Sequence, residues 1–316
     1  MKQFIIPGIV AVIVLLVPVS YRDQEPADIA GLGALLFFDP ILSADSTISC
    51  SSCHRPARAF ADTGLVSTGV GGKRGVRNTP TAMNVNLQNS FFWDGRAVSL
   101  EEQALAPISN PVEMNLPVPV ALRRLGNHPA YRQYFNKFFN REPDSSSLGA
   151  ALAAFERTLE TSDSPFDNWK FSDDPAAVSD AAKRGFALFN GKGKCVRCHF
   201  GADFTQPDFR NIGLFNGTTL NDSGRALITK QREDIGRFKI GSLRNVAITP
   251  PYMHNGMFRT LEEVIDFYNE PDKFVPDAIN RDSILATPLG LTGAEKNDLL
   301  AFLHSLTDKR FSSPNQ

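Results

Sequence analysis

Two five-residue segments carry the most specific chemistry in the chain: Cys50-Ser51-Ser52-Cys53-His54 and Cys195-Val196-Arg197-Cys198-His199. Two thiols three residues apart can add to the two vinyl groups of one haem, and the histidine that follows then lies beneath the iron as an axial ligand. A thioredoxin-like redox pair needs no histidine directly after its second cysteine, still less twice; a zinc site is the other alternative. We read Cys50, Cys53, Cys195 and Cys198 as thioether anchors for two haem c groups, and His54 and His199 as axial ligands. All 4 cysteines of the 316 residues fall in these two copies, so none is left over for a disulfide.

The segments around the motifs repeat as well. Gly33-Ala34-Leu35-Leu36-Phe37 precedes the first and Gly185-Phe186-Ala187-Leu188-Phe189 the second, both helical in pattern. Downstream, Asn84-Val85, Trp93-Asp94-Gly95 and Ser99-Leu100-Glu101-Glu102 match Asn245-Val246, His254-Asn255-Gly256 and Thr260-Leu261-Glu262-Glu263, all at an offset of 161. A hydroxyl residue followed three positions later by Glu predicts a capping box at each last pair, hence a helix start. The haem histidines are 145 apart, so the second unit carries 16 extra residues, which fall in the polar, glycine-containing stretch 201–240 and read as loop. A helix is expected over Leu148–Leu159 and a linker at Ser172-Asp173-Asp174-Pro175. No run alternates like a strand. The expected fold is mostly α, with two cytochrome c-like haem domains related by internal duplication, at 22–165 and 166–316.

Residues 1–20 hold an uncharged apolar run from Phe4 to Val19 after Lys2, which reads as a signal peptide or an N-terminal membrane anchor. Export agrees with the haem motifs, because c-type haem is attached outside the bacterial cytoplasm. Hydrophobic residues make up 42% of the chain, enough for a packed core, and a formal charge of -1 argues against a nucleic-acid partner.

Comparing the two units exposes an asymmetry. The capped helix of the second presents Leu261, Val264, Ile265 and Tyr268 on one face, and the position 161 residues before Tyr268 is Pro107. Tyrosine has a phenolic oxygen that can bind ferric iron and proline has no donor. Tyr268 as the second axial ligand would close one haem and leave the other open; Met253, Met257 and His254 are rival ligands, and an interfacial core tyrosine is the alternative. No histidine lies between residues 55 and 127 to block the first haem, and His128 and His304 read as surface or structural residues. An open ferric haem takes a small molecule such as hydrogen peroxide. Near it the sequence supplies Gln103 to hold a ligand and Glu113, whose carboxyl can move a proton between the two oxygens.

These motifs, together with Asn78-Thr79-Pro80-Thr81, Phe92-Trp93-Asp94-Gly95-Arg96, Asn110-Pro111-Val112-Glu113-Met114 and Pro251-Tyr252-Met253-His254-Asn255-Gly256, resemble the bacterial dihaem cytochrome c peroxidase and MauG family over about residues 27 to 308. The resemblance implies a periplasmic enzyme with a peroxidatic haem on His54 and an electron-handling haem on His199. It implies a small electron-donor protein, a cytochrome c or cupredoxin. It makes Trp93 the residue between the haems, Gln103 and Glu113 the distal pair, and Asn78, Thr249 and Pro251 a calcium site partly of backbone carbonyls. Typical peroxidases close the first haem with a loop histidine; here that loop reads Gly69-Val70-Gly71-Gly72-Lys73. Tyr268 stands where they carry Met, as in MauG-like proteins. The maturases' surface tryptophan ahead of the second motif is missing from Asn190-Gly191-Lys192-Gly193-Lys194, whose lysines, with Arg197, would form a basic rim for docking. Peroxide reduction is therefore the leading expectation; oxidative maturation of a partner protein and non-enzymatic electron transfer are the alternatives.

Overall fold

The computed structural model describes residues 25–312. The apolar segment 1–20 lies outside the described residues, among which no helix is long and apolar enough to cross a membrane. In chain order the helices are α1 (Ile29–Phe38), α2 (Cys50–Cys53), α3 (Leu100–Ser109), α4 (Val118–Asn127), α5 (Pro129–Phe139), α6 (Ser145–Glu156), α7 (Pro165–Phe171) and α8 (Asp180–Asn190). Strand β1 (Phe209–Arg210), α9 (Ala226–Thr229) and strand β2 (Phe238–Lys239) follow, then α10 (Leu261–Asn269), α11 (Pro271–Phe274) and α12 (Gly293–His304). The fold is mostly helical, as expected. The one departure is a two-residue antiparallel ladder, Phe209 with Lys239 and Arg210 with Phe238, too short to show alternation in sequence.

Helix α1 is apolar almost all round because it runs through the core, and Asp28 starts it by accepting a hydrogen bond from the Gly31 N–H at 2.7 Å. It crosses α6 so closely that a methyl carbon on Gly33 would stand 1.9 Å from the Ala151 carbonyl oxygen. The crossing of α8 with α12 has the same signature: a methyl carbon on Gly185 would stand 1.9 Å from the Asp298 carbonyl oxygen. Around the first crossing Leu36, Phe37, Ile108, Leu148 and Leu152 are buried; around the second, Phe189, Phe204, Leu299 and Phe302.

Local signals account for most boundaries. Thr260 and Glu263 form a reciprocal capping box on α10. At α3 only half of the expected box forms: the Ser99 hydroxyl accepts from the Glu102 N–H, while the Glu102 carboxylate reaches one residue further back to the Val98 N–H at 2.9 Å. Helix α6 begins three residues before Leu148 and ends at Glu156, because Asp144 and Ser147 cap each other at its start. Trp169, on α7, meets Phe166 and Phe186 edge-on and is a packing residue.

The two halves are tied by buried polar groups. Asn84 and Asn245, equivalent under the 161 offset and both with left-handed backbone (φ 56° and 61°), converge on Thr161 in the connecting segment. Beside them Arg244 makes a bidentate pair with Asp167 at 2.8 and 2.9 Å and donates to Asp203 at 2.8 Å, while Asn84 donates to the same Asp203 oxygen at 2.9 Å.

Candidate active site

Each motif folds into one turn closed by its histidine: the His54 N–H donates to the Cys50 carbonyl and the His199 N–H to the Cys195 carbonyl, both at 2.9 Å. The turn sets both cysteines and the histidine of each motif on the wall of a cavity. Each ring is then oriented by a backbone carbonyl a few residues on. His54 Nδ1 lies 3.0 Å from the Phe60 oxygen and His199 Nδ1 2.9 Å from that of Phe204. With Nδ1 donating to the carbonyl, Nε2 is the ring's acceptor, the arrangement of an imidazole held to bind a metal. Burial lowers both histidines' pKa and so favours the neutral ring that a ligand requires.

The four thiols are free. Burial pushes Cys50 and Cys195 up to about 12 and Cys53 to about 11. A reactive redox pair has the opposite property, a depressed thiol pKa, so the thioredoxin-like alternative does not fit.

Both motifs open onto one cavity of about 840 Å³ that runs through the interface of the halves. Its wall includes His54, Gln103, Pro107 and Glu113 on one side and His199 and Tyr268 on the other, with Trp93 and Asn78 between. A single apolar-walled space holding two sets of thiols and two inward imidazoles fits two covalently held haems.

The Glu113 loop is held in place by the segment 69–73. The Val70 N–H donates to the Glu113 carbonyl at 2.8 Å, and a methyl carbon on Gly69 would come within 2.3 Å of the Val112 oxygen. The Glu113 carboxylate accepts from Asn110 Nδ2 at 2.7 Å. Burial nevertheless raises its pKa above the ordinary value, against the opposing pull of Arg96 and Asn110. Pro107 closes the α3 side of the cavity without a donor atom.

On the second side Tyr268 is pushed well above the usual phenol range by burial. An ionised phenolate there would need a cation to offset it, as a ferric ion could. Among the rivals, Met257 is 37% exposed and does not line the cavity, whereas Met253 does. His254 stacks on Phe238 at 3.6 Å and turns its edge to Trp93, 6.5 Å between ring centres.

Trp93 and His254, equivalent under the 161 offset, thus face each other across the two halves. Trp93 Nε1 donates to the Asn78 carbonyl at 2.8 Å and the Asn78 N–H donates to that of His254 at 2.7 Å. The Asn78 amide nitrogen is spent on the Gly64 carbonyl at 3.1 Å, which leaves Oδ1 as the side chain's acceptor, and Thr249 and Pro251 line the same cavity. Among the described residues no group of three or more His, Cys, Asp or Glu gathers that could hold a metal, so a cation here would rest on amide and carbonyl oxygens. Of the expected basic rim, Lys192 is engaged by Glu295 at 2.6 Å and Lys194 reaches the Ile284 carbonyl.

Two features escaped the sequence reading. Arg77 bridges the halves, joining Asp94 at 2.6 Å to Asp222 at 2.7 Å; the acidic partner in Trp93-Asp94-Gly95 was its one visible signal. Glu156 lines the cavity from α6, where a carboxylate at a helix end looks like surface.

Comparison with known proteins agrees with this architecture. Residues 27–175 match the family described as di-haem cytochrome c peroxidase. Over 279 residues the chain is 40% identical to the methylamine utilization protein MauG of Methylorubrum extorquens, covering 87% of this chain and 77% of that protein. It is 37% identical over 267 residues to the cytochrome c551 peroxidase of Nitrosomonas europaea, covering 84% and 79%. The crystal structure of a MauG-like protein associated with microbial copper homeostasis superposes with a TM-score of 0.82 at 32% identity, over 94% of each chain. Paired haem motifs, one shared cavity and similarity along most of its length make the chain a haem-dependent oxidoreductase that belongs to the di-haem cytochrome c peroxidase family.

Proposed function

We propose that the protein is a periplasmic dihaem peroxidase that reduces hydrogen peroxide to water with electrons from a small redox protein, a cytochrome c or cupredoxin. One observation carries this reading: the shared cavity is lined by Pro107, Gln103 and Glu113 on the His54 side and by Tyr268 on the His199 side. Cys50, Cys53 and His54 would hold one haem beside Pro107, which offers no donor, and Cys195, Cys198, His199 and Tyr268 would hold the other. The close crossings at Gly33 and Gly185 support an internal duplication with its boundary near residue 165.

The haem irons, when bound, supply the redox equivalents for cleaving the O–O bond. The chain's own residues bind the substrate and move its protons. Gln103 holds peroxide by hydrogen bonds, and Glu113 accepts the proton of one peroxide oxygen and returns it to the other. The balance is one peroxide, two electrons and two protons giving two waters. Trp93, between the halves and fixed by its bond to the Asn78 carbonyl, is the route for electrons from the second side. Asn78, Thr249 and Pro251 offer oxygens for the calcium ion that would brace this junction.

Maturation of a partner protein has less support, since Asn190 to Lys194 presents no aromatic residue to carry oxidising equivalents outward. Stopped-flow mixing of the diferric protein with peroxide tests the reading: rapid loss of the ferric spectrum is expected. An inert spectrum, or a rate unchanged in Glu113→Gln, would overturn it.

A further inference from the structure

One carboxyl in the cavity has no part in the chemistry above. Glu156 closes α6, is 9% exposed, and lines the cavity with Leu152 and Cys50. No described residue donates a hydrogen bond to its carboxyl or pairs with it. The matched crossings set Ala151 against Asp298, which sets Phe155 against Phe302 and Glu156 against Leu303. Phe155 and Phe302 are both buried, and Leu303 also lines the cavity. The first half therefore places an ionisable group where the second places a hydrocarbon.

The surroundings offer Glu156 little compensation. Helix α1, packed against α6, carries no titratable side chain from Ile29 to Phe38. From α3 the nearest is Glu101, already paired with Arg157 at 2.8 Å, and Glu102 is turned away to the Val98 N–H. The Cys50 thiol on α2 feels Glu156 and, more weakly, Glu113 across the cavity. Burial lifts Glu156 to about 8, with Arg157 opposing and Glu101 adding to the shift. Such a group changes charge near neutrality, and in a low-dielectric site its charge is felt strongly by any other charge nearby.

We propose that Glu156 is a redox-linked proton site, resting on the assignment of a haem to Cys50, Cys53 and His54: it takes one proton from water as that iron accepts one electron. The iron passes from ferric to ferrous with the donor's electron, the carboxylate becomes a carboxylic acid, and the net charge of the pocket stays constant. Withdrawal of the electron releases the proton. Glu156 acts here as a positioning residue for charge, through the haem; its counterpart Leu303 leaves the second site without this coupling.

Spectroelectrochemical titration of the dihaem protein between about pH 6 and 9, a span centred on a carboxyl raised by burial, provides the test. The potential of the haem on His54 should fall with rising pH. At full coupling, the tenfold change in its reduction equilibrium per pH unit corresponds to about 59 mV. The potential of the haem on His199 should show no such slope. Glu156→Gln, which keeps the shape, and Glu156→Leu, which copies the second half, should each flatten the first slope, while Glu113→Gln should retain it. A pH-independent potential in the wild-type protein, or a slope that survives both Glu156 substitutions, would overturn the proposal. Haem content separates this failure from failure of the haem assignment: the double substitution Cys50→Ser, Cys53→Ser should leave one covalent haem per chain, and two would remove the assignment and the proposal with it.

Discussion

Glu113 and Tyr268 face one cavity from opposite halves, and burial favours the neutral form of both. For Glu113 this sets a pH dependence. Its ionised form accepts the peroxide proton, and its pKa lies above the ordinary carboxylate value. As pH falls through that raised pKa the base is lost, so the peroxide reaction should decline at a higher pH than a solvent-exposed glutamate would give. Glu113→Gln should slow the reaction by about 10²–10⁴-fold and abolish that acid limb in a stopped-flow pH series. At this scale the two haem motifs stand out in the sequence, because spacing alone encodes their chemistry. Tyr268 was singled out by subtraction against Pro107, and it lines the cavity. Glu113 was picked out by its place after the first haem motif and strengthened by the family resemblance, since a glutamate in a proline-flanked loop has no pattern of its own, and Glu156 was hidden by its place at a helix end.

The elements that hold these residues depend on two close backbone approaches. Gly33→Ala would drive a methyl group into the Ala151 carbonyl, part α1 from α6 and loosen the wall beneath the first motif. A loss of about 1–3 kcal/mol is expected from such overpacking, measurable by denaturant unfolding, with the larger spectral change at the haem on His54. Gly69→Ala meets the Val112 and Glu113 carbonyls at 2.3 and 2.5 Å and should displace the Glu113 loop. Its signature is a slower peroxide reaction with near-native stability. The caps on α3 and α10 were readable from a hydroxyl residue with a glutamate three positions on, whereas the Asp144–Ser147 cap that starts α6 three residues before Leu148 was not. The β1–β2 ladder was unreadable, because two residues carry no periodicity and their pairing is set by contacts across a long loop.

The whole molecule works because its halves share one cavity while being held in register by buried charge. Arg244, within the second half, holds the Asp203 carboxylate that Asn84 of the first half reaches, and Arg244→Ala would leave Asp167 and Asp203 buried without their cation. A cost of about 3–5 kcal/mol is expected, read as a fall in the denaturant midpoint. The repeat pattern marked Trp93 with His254 and Asn84 with Asn245 as equivalent positions but carried no sign that they converge at the junction, nor of the Arg77 bridge to Asp222 or the Arg244 pair with Asp167, whose partners lie far apart in sequence. The central claim is functional asymmetry: similar motifs, one site open beside Glu113 and the other closed by Tyr268. Electron paramagnetic resonance of the diferric protein tests this directly. The account predicts one high-spin and one low-spin ferric haem in equal amounts, with only the low-spin signal altered in Tyr268→His; two low-spin haems in the wild-type protein would contradict it.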